Sequence, residues 1–433
     1  MRSVNGLLAA TVLPLGMTAA LAVAQRTDVF VESSNHPAIA YRTAPVHDAV
    51  AELDQKLQQG SVQLPFDRET GYLRAVLDAL KIPIESQSLV FSQTSAQAKQ
   101  IGPRNPRAVY FNDTVAVGWV RGADLLELAA HDRQQGVVFY TLDQTRTDAP
   151  RLKRDNGCLL CHLTWDTLGV PGLQMLSTFQ MSDDPNAYAS GIVVDHRSPM
   201  SERWGGWYVT GKTGPAPHRG NVPVVVPAAA LEKAPRRPPA LESVAGLFDT
   251  TGYPSRHSDV AALMVLAHQA HMTNLLTRVG WEVRVAEAAG GSTADRLPPR
   301  VREAVADLVD YLLFIDEAPI AGGLEGSSAF AERFADLGPR DSKGRSLRQL
   351  DLRQRLLRYP CSYMIYAPAF DALPPAAKTL VYARMWQILS GEEKGARYGR
   401  LSLADRQAIV EILRDTKHDL PDEFQRAGKN ARR

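Results

Sequence analysis

The sequence predicts an α+β chain: an antiparallel β-meander in its N-terminal part, a central segment built around a cysteine pair, and a mainly helical C-terminal part. Three observations carry that expectation. Short β-branched and aromatic runs between residues 87 and 142 alternate with turn signals. Residues 158–162 place two cysteines three apart, with a histidine directly behind the second. Beyond residue 240 the apolar positions recur at helical spacing. The expected divisions are 1–24 as an export signal, 25–145 as the α+β domain, 146–233 as the segment around the cysteine pair and 240–433 as the helical domain.

Taken in order, Met1-Arg2 precede an apolar run over 6–23, and Ala22-Val23-Ala24 stand before Gln25. That is a charged start, an apolar region and a small-residue cleavage site, the pattern of a signal peptide cleaved on export to the periplasm. Pro14 and Gly16 weigh against a retained spanning helix, which stays the alternative. Val46, Val50, Leu53 and Leu57 predict one helix, and Leu73, Val76, Leu77 and Leu80 a second that ends before Pro83. Strands are expected over 88–91, 108–111, 115–120, 125–128 and 136–140, separated by turn residues such as Asn112-Asp113 and Gln135-Gly136. The polar stretch 143–157 reads as a solvated linker whose Arg146, Arg151 and Arg154 could also meet an anionic group. Strands follow at 191–194, 204–210 and 222–226, where Trp204, Trp207, His196 and His218 could form one wall of an apolar pocket. A Pro-rich stretch at 234–239 is the expected boundary. Ser258 then caps a buried helix to about Val279, and further helices are expected at 300–316, 345–357, 375–390 and 403–415.

Composition sets mild bounds. With 433 residues the chain is long enough for two or three domains. A net charge of +2 gives no case for nucleic acid or an anionic membrane surface. No apolar run after the first is long enough to span a bilayer.

The chemistry is concentrated at Cys158-Leu159-Leu160-Cys161-His162, the attachment signature of c-type haem. Two thiols at that spacing add across the two vinyl groups of one porphyrin, and the adjacent imidazole reaches the iron. Half a zinc site is the competing reading, but no second Cys or His pair at regular spacing completes it. One motif implies one covalently attached haem. Cys361 has no partner left and reads as a buried, inert thiol.

The motif followed by Gly169-Val170-Pro171-Gly172-Leu173 resembles a class I c-type cytochrome. That resemblance implies that the Pro171 carbonyl accepts the Nδ1 proton of His162, although the order of Gly and Pro departs from the family pattern. Residues 110–120, 203–211 and 358–363 are more similar to a family of large exported single-haem cytochromes. This second resemblance implies a c-type cytochrome and no defined reaction.

The sixth position on the iron decides between functions. Met200, after Pro199, is the class I choice, and it competes with His268 on the apolar stripe Met264, His268, His271, Leu275. His268 is narrowly favoured, with His196 and His218 behind it. A filled position implies single-electron transfer with a periplasmic redox partner. An open one implies a peroxidase-like haem enzyme with a distal acid/base histidine. A redox sensor or subunit is a third possibility.

Overall fold

A computed structural model describes residues 33–178, 191–222, 239–291 and 293–426. The expected signal peptide, most of the 222–226 strand and most of the Pro-rich boundary lie outside them. The chain is α+β, with an antiparallel sheet in its N-terminal part and a mostly helical C-terminal region. The sheet has six strands in sequence order: β1 (Ser88–Val90), β2 (Arg107–Phe111), β3 (Val115–Trp119), β4 (Leu125–Asp132), β5 (Gly136–Asp143) and β6 (Lys153–Arg154). The polar linker therefore ends in an edge strand. Three of its cations are engaged: Arg151 pairs with Asp54, Lys153 with Asp143, and Arg154 donates to the Tyr41 carbonyl.

Burial alternates strictly along β4, as a strand with two unlike faces requires. The register puts Leu126, Leu128 and Ala130 beside Leu142, Tyr140 and Val138. This face packs against helices α1 (Ala49–Gln58) and α2 (Leu73–Ala79), through Val50, Leu53, Leu73, Val76 and Leu77. The opposite face carries Arg107, Val109 and Phe111 from β2, Ala116 and Gly118 from β3, Glu127 and Ala129 from β4, and Phe139 from β5. Phe111 on that side meets Phe330 of the C-terminal region, ring centroids 5.8 Å apart.

After the cysteine motif, on the one-turn helix α3 (Leu159–His162), a small ribbon forms from β7 (Leu176–Thr178) and β8 (Gly191–Val193). The expected strand over 204–210 is instead a tight turn with isolated bridges, in which Trp204, Trp207 and His218 are buried. The C-terminal region is built on α4 (Val260–Ala288), buried on nearly every side through its first five turns. Its N-cap is Asp259, not Ser258. The Asp259 carboxylate accepts from Ala261, Ser327 and Ser328 backbone N–H groups. Ser258 instead donates its hydroxyl to Tyr208 and accepts from the Leu89 N–H.

Around α4 pack α5 (Pro299–Leu312), α6 (Phe330–Asp336), α7 (Pro368–Asp371), α8 (Pro375–Ser390), α9 (Leu403–Thr416) and α10 (Asp422–Arg426). The expected helix at 345–357 does not form. Asp351 captures the N–H groups of Arg353 and Gln354, Leu352 takes a left-handed φ of 56°, and the segment closes as turns. Among the described residues no helix is long and apolar enough to cross a membrane.

Candidate functional site

The cysteine segment is held in place by short-range bonds on both sides. Asp155 accepts from the Gly157 N–H at 2.8 Å and starts the turn that carries Cys158 into α3. A spacing of three residues puts the Cys158 and Cys161 thiols on one side of a single helical turn. Neither is in a disulfide; Cys158 is half-buried and Cys161 exposed. Burial, aided by Asp155 and Glu127, pushes the Cys158 thiol up to about 11. Two large apolar side chains stand in solvent beside the motif, Leu160 at 84% exposure and Trp165 at 63%. Leu337 and Leu403 are exposed to a similar degree elsewhere, so what distinguishes Leu160 and Trp165 is their place beside the two thiols and His162.

His162 is oriented by its own loop. Its Nδ1 lies 2.9 Å from the Gly172 carbonyl, and the Gly172 N–H donates to the His162 carbonyl at 3.0 Å. With Nδ1–H donating, the neutral ring leaves its Nε2 lone pair free, the tautomer that a metal-binding imidazole needs. The ring rests on Phe139 of β5, centroids 4.7 Å apart. Burial lowers the ring's pKa, which keeps it neutral at neutral pH.

The carbonyl expected to hold His162 was that of Pro171. It is the next one. Pro171 gives its carbonyl to the Val137 N–H of β5, tying the loop to the sheet, while Gly172 faces the histidine. Gly172 fits here because a Cβ would collide with the Asn274 side chain of α4. Asn274 grips the next residue with both ends of its amide: Oδ1 accepts from the Leu173 N–H at 2.9 Å, and Nδ2 donates to the Leu173 carbonyl at 2.7 Å. The loop that follows the cysteine motif thus hangs between β5 and α4. Asn274 was not anticipated, although a polar side chain on a helix buried on nearly every side is a signal that something polar must meet it.

The two candidates for the sixth ligand are placed elsewhere in their bonding. His268 is fully buried, and both ring nitrogens are taken: Nδ1 lies 2.8 Å from His196 Nδ1, and Nε2 lies 2.7 Å from Ser362 Oγ. It is sandwiched in a polar and aromatic cluster with Tyr311 and Phe314, and burial drives its pKa down to about 3. His268 is a satisfied core histidine here. Met200 begins a single 3₁₀ turn and its side chain is buried in the main core. His196 shares the His268 cluster, and His218 bonds Thr213 and stacks edge-on against Trp204. Cys361 is fully buried and its thiol is pushed up by burial, as an inert thiol should be.

Two unpaired thiols on one turn, an imidazole with a free Nε2 and an uncovered apolar rim form the donor set that one covalently attached haem requires. Among the described residues no group of three or more Cys, His, Asp or Glu is arranged to hold a bare metal ion. The chain matches no family model, no curated protein and no solved structure.

Proposed function

We propose that the chain is an exported c-type cytochrome that carries one haem and passes single electrons to or from a periplasmic partner. The observation that carries this reading is the tautomer of His162: the one histidine of the motif has its Nδ1 tied to a carbonyl of its own loop. Cys158 and Cys161 would form the two thioethers and His162 would supply the axial nitrogen. The haem, when bound, supplies a reversible one-electron couple. The chain contributes orientation. Phe139 fixes the plane of the imidazole, and Gly172 raises its basicity by accepting its proton in a hydrogen bond. Exposed Leu160 and Trp165 would border the haem edge, where electrons leave.

A second reading is favoured by one specific observation. His268 is committed to Ser362 and His196, and the Met200 side chain is buried in the main core, so neither sequence candidate for the sixth ligand stands clear of the packing. If Met200 does not ligate, the distal side is open and the protein is a haem enzyme of peroxidase type.

Optical spectroscopy of the matured protein separates the two. Electron transfer requires a low-spin ferric spectrum, a reversible one-electron titration and no carbon monoxide complex when reduced. Met200→Ala should turn that spectrum high-spin. A wild type that is already high-spin and consumes peroxide overturns the electron-carrier reading.

A further inference from the structure

The face of the sheet beneath His162 contains an arginine without a sufficient partner. One row across the strands reads Phe111, Ala116, Ala129, Phe139, a pair of alanines between two phenylalanines, with His162 resting on the last. The adjacent row reads Val109, Gly118, Glu127, Thr141. Arg107 lies across it from β2. A Cβ at Gly118 would collide with its guanidinium, so glycine is what lets the side chain lie flat over β3. Its Nη2 meets Glu127 at 2.7 Å.

The Glu127 carboxylate also accepts from the single hydroxyl of Ser95, whose Oγ lies 3.1 and 3.2 Å from its two oxygens. Two donors in this neighbourhood stay unpaired. Arg107 Nε is buried with no acceptor, and so is Nε2 of Gln97, whose backbone N–H bonds Ser95 Oγ. Buried donors left unpaired each cost about 1–3 kcal/mol. Two such donors, one on the partner of Glu127 and one on the residue whose backbone bonds Ser95, call for an anionic oxygen that the chain does not itself supply. The surroundings are those of the cysteine motif: Arg107 and Glu127 both act electrostatically on His162, after the dominant effect of burial, and Glu127 acts on Cys158.

We infer that Arg107, through Nε, and Gln97, through Nε2, form the seat for a carboxylate of the group attached at Cys158 and Cys161, a haem propionate. This rests on the haem reading above. Of the arginines suggested by the sequence, Arg151 and Arg154 are spent on Asp54 and Tyr41, whereas Arg107 comes from a different strand and keeps its Glu127 pair while it binds. Arg suits the role because its planar fork can serve two carboxylates at once.

The test uses the full-length protein matured with haem. Covalent haem content is measured first, then the resonance Raman band of the propionates and the midpoint potential. Arg107→Gln should shift the propionate band and lower the potential, since an uncompensated carboxylate stabilises the ferric state. Arg107→Lys should recover most of the potential and not the band. Glu127→Gln breaks the same ion pair yet should leave the band in place. Gln97→Ala, on a surface loop that leaves the core intact, should shift the band even if Arg107→Gln fails to fold. Wild-type protein with covalent haem and a band that neither Arg107→Gln nor Gln97→Ala moves overturns the seat alone. A wild type without covalent haem overturns the cytochrome reading and the seat with it.

Discussion

Replacing Asn274 by alanine removes the clamp between α4 and the loop that orients His162. The amide makes two hydrogen bonds to one residue, at 2.9 Å to the Leu173 N–H and 2.7 Å to its carbonyl. Asn274 itself is 1% exposed, so its own end of both bonds is shielded from bulk water. Removing it strands a donor and an acceptor, each at about 1–3 kcal/mol, and leaves a small cavity. Leu173 is only half-buried, so water can reach one of the two groups. The expected loss is therefore about 2–4 kcal/mol. It would be read as a lower urea midpoint with an unchanged slope. The loop should also loosen at the next residue back, where the Gly172 carbonyl meets His162 Nδ1. A weaker hydrogen bond there makes the imidazole a poorer donor, so the reduction potential of the matured protein should rise. Asn274→Asp sharpens the test. It keeps the acceptor for the Leu173 N–H but sets a carboxylate oxygen against the Leu173 carbonyl, so it should be destabilising at neutral pH and recover partly in acid. A change below about 0.5 kcal/mol in Asn274→Ala, with an unmoved potential, would refute the clamp, because losing both bonds of a fully buried amide costs more than that.

Other outcomes follow from the same contacts. Gly172→Ala should weaken both the fold and haem attachment, since the new methyl group meets the Asn274 amide and the residue is tied to His162 at both its N–H and its carbonyl; thermal melting and haem staining check it. Burial holds His268 at about 3 and His218 at about 4, below the ordinary value of 6.5, so the folded state keeps both neutral. Their contribution is complete above about pH 6.5 and is lost as pH falls towards 4, where the unfolded chain takes up protons first, at roughly 1 kcal/mol per pH unit for each histidine. Denaturant titrations at several pH values should show that slope, and His268→Gln should flatten part of it at some cost in stability at pH 7. Cys361→Ala should leave haem content unchanged.

The meander was legible because its information is local. Alternation along β4 and turn residues between strands mark each element without knowledge of the rest of the chain. The two-residue strand Lys153–Arg154 escaped notice because it is polar and lies at an edge, so it carries no apolar alternation. At 345–357 the helical spacing of Leu347, Leu350 and Leu357 was real, but the Asp351 side chain and left-handed Leu352 took the backbone elsewhere. Around the motif, the spacing of Cys158, Cys161 and His162 is legible in the sequence, and what supports them is misplaced. Gly172, not Pro171, faces the imidazole, because Pro171 is claimed by Val137 of the sheet. The bonds of Asn274 to Leu173 and of Arg107 to Glu127 join distant stretches of chain, and no local pattern announces them. His268 illustrates the opposite case. A histidine buried on all sides must find hydrogen-bond partners, and Ser362 and His196 supply both.

Covalent attachment of haem at Cys158 and Cys161 is the claim from which the functional reading descends. The protein should be matured alongside a cytochrome c assembly system, denatured, and its pyridine haemochrome spectrum recorded. The reading predicts one thioether-linked haem per chain, retained through acid acetone and lost when Cys158→Ala and Cys161→Ala are combined. Haem that washes out in acid acetone, a b-type spectrum, or no haem at all would contradict it.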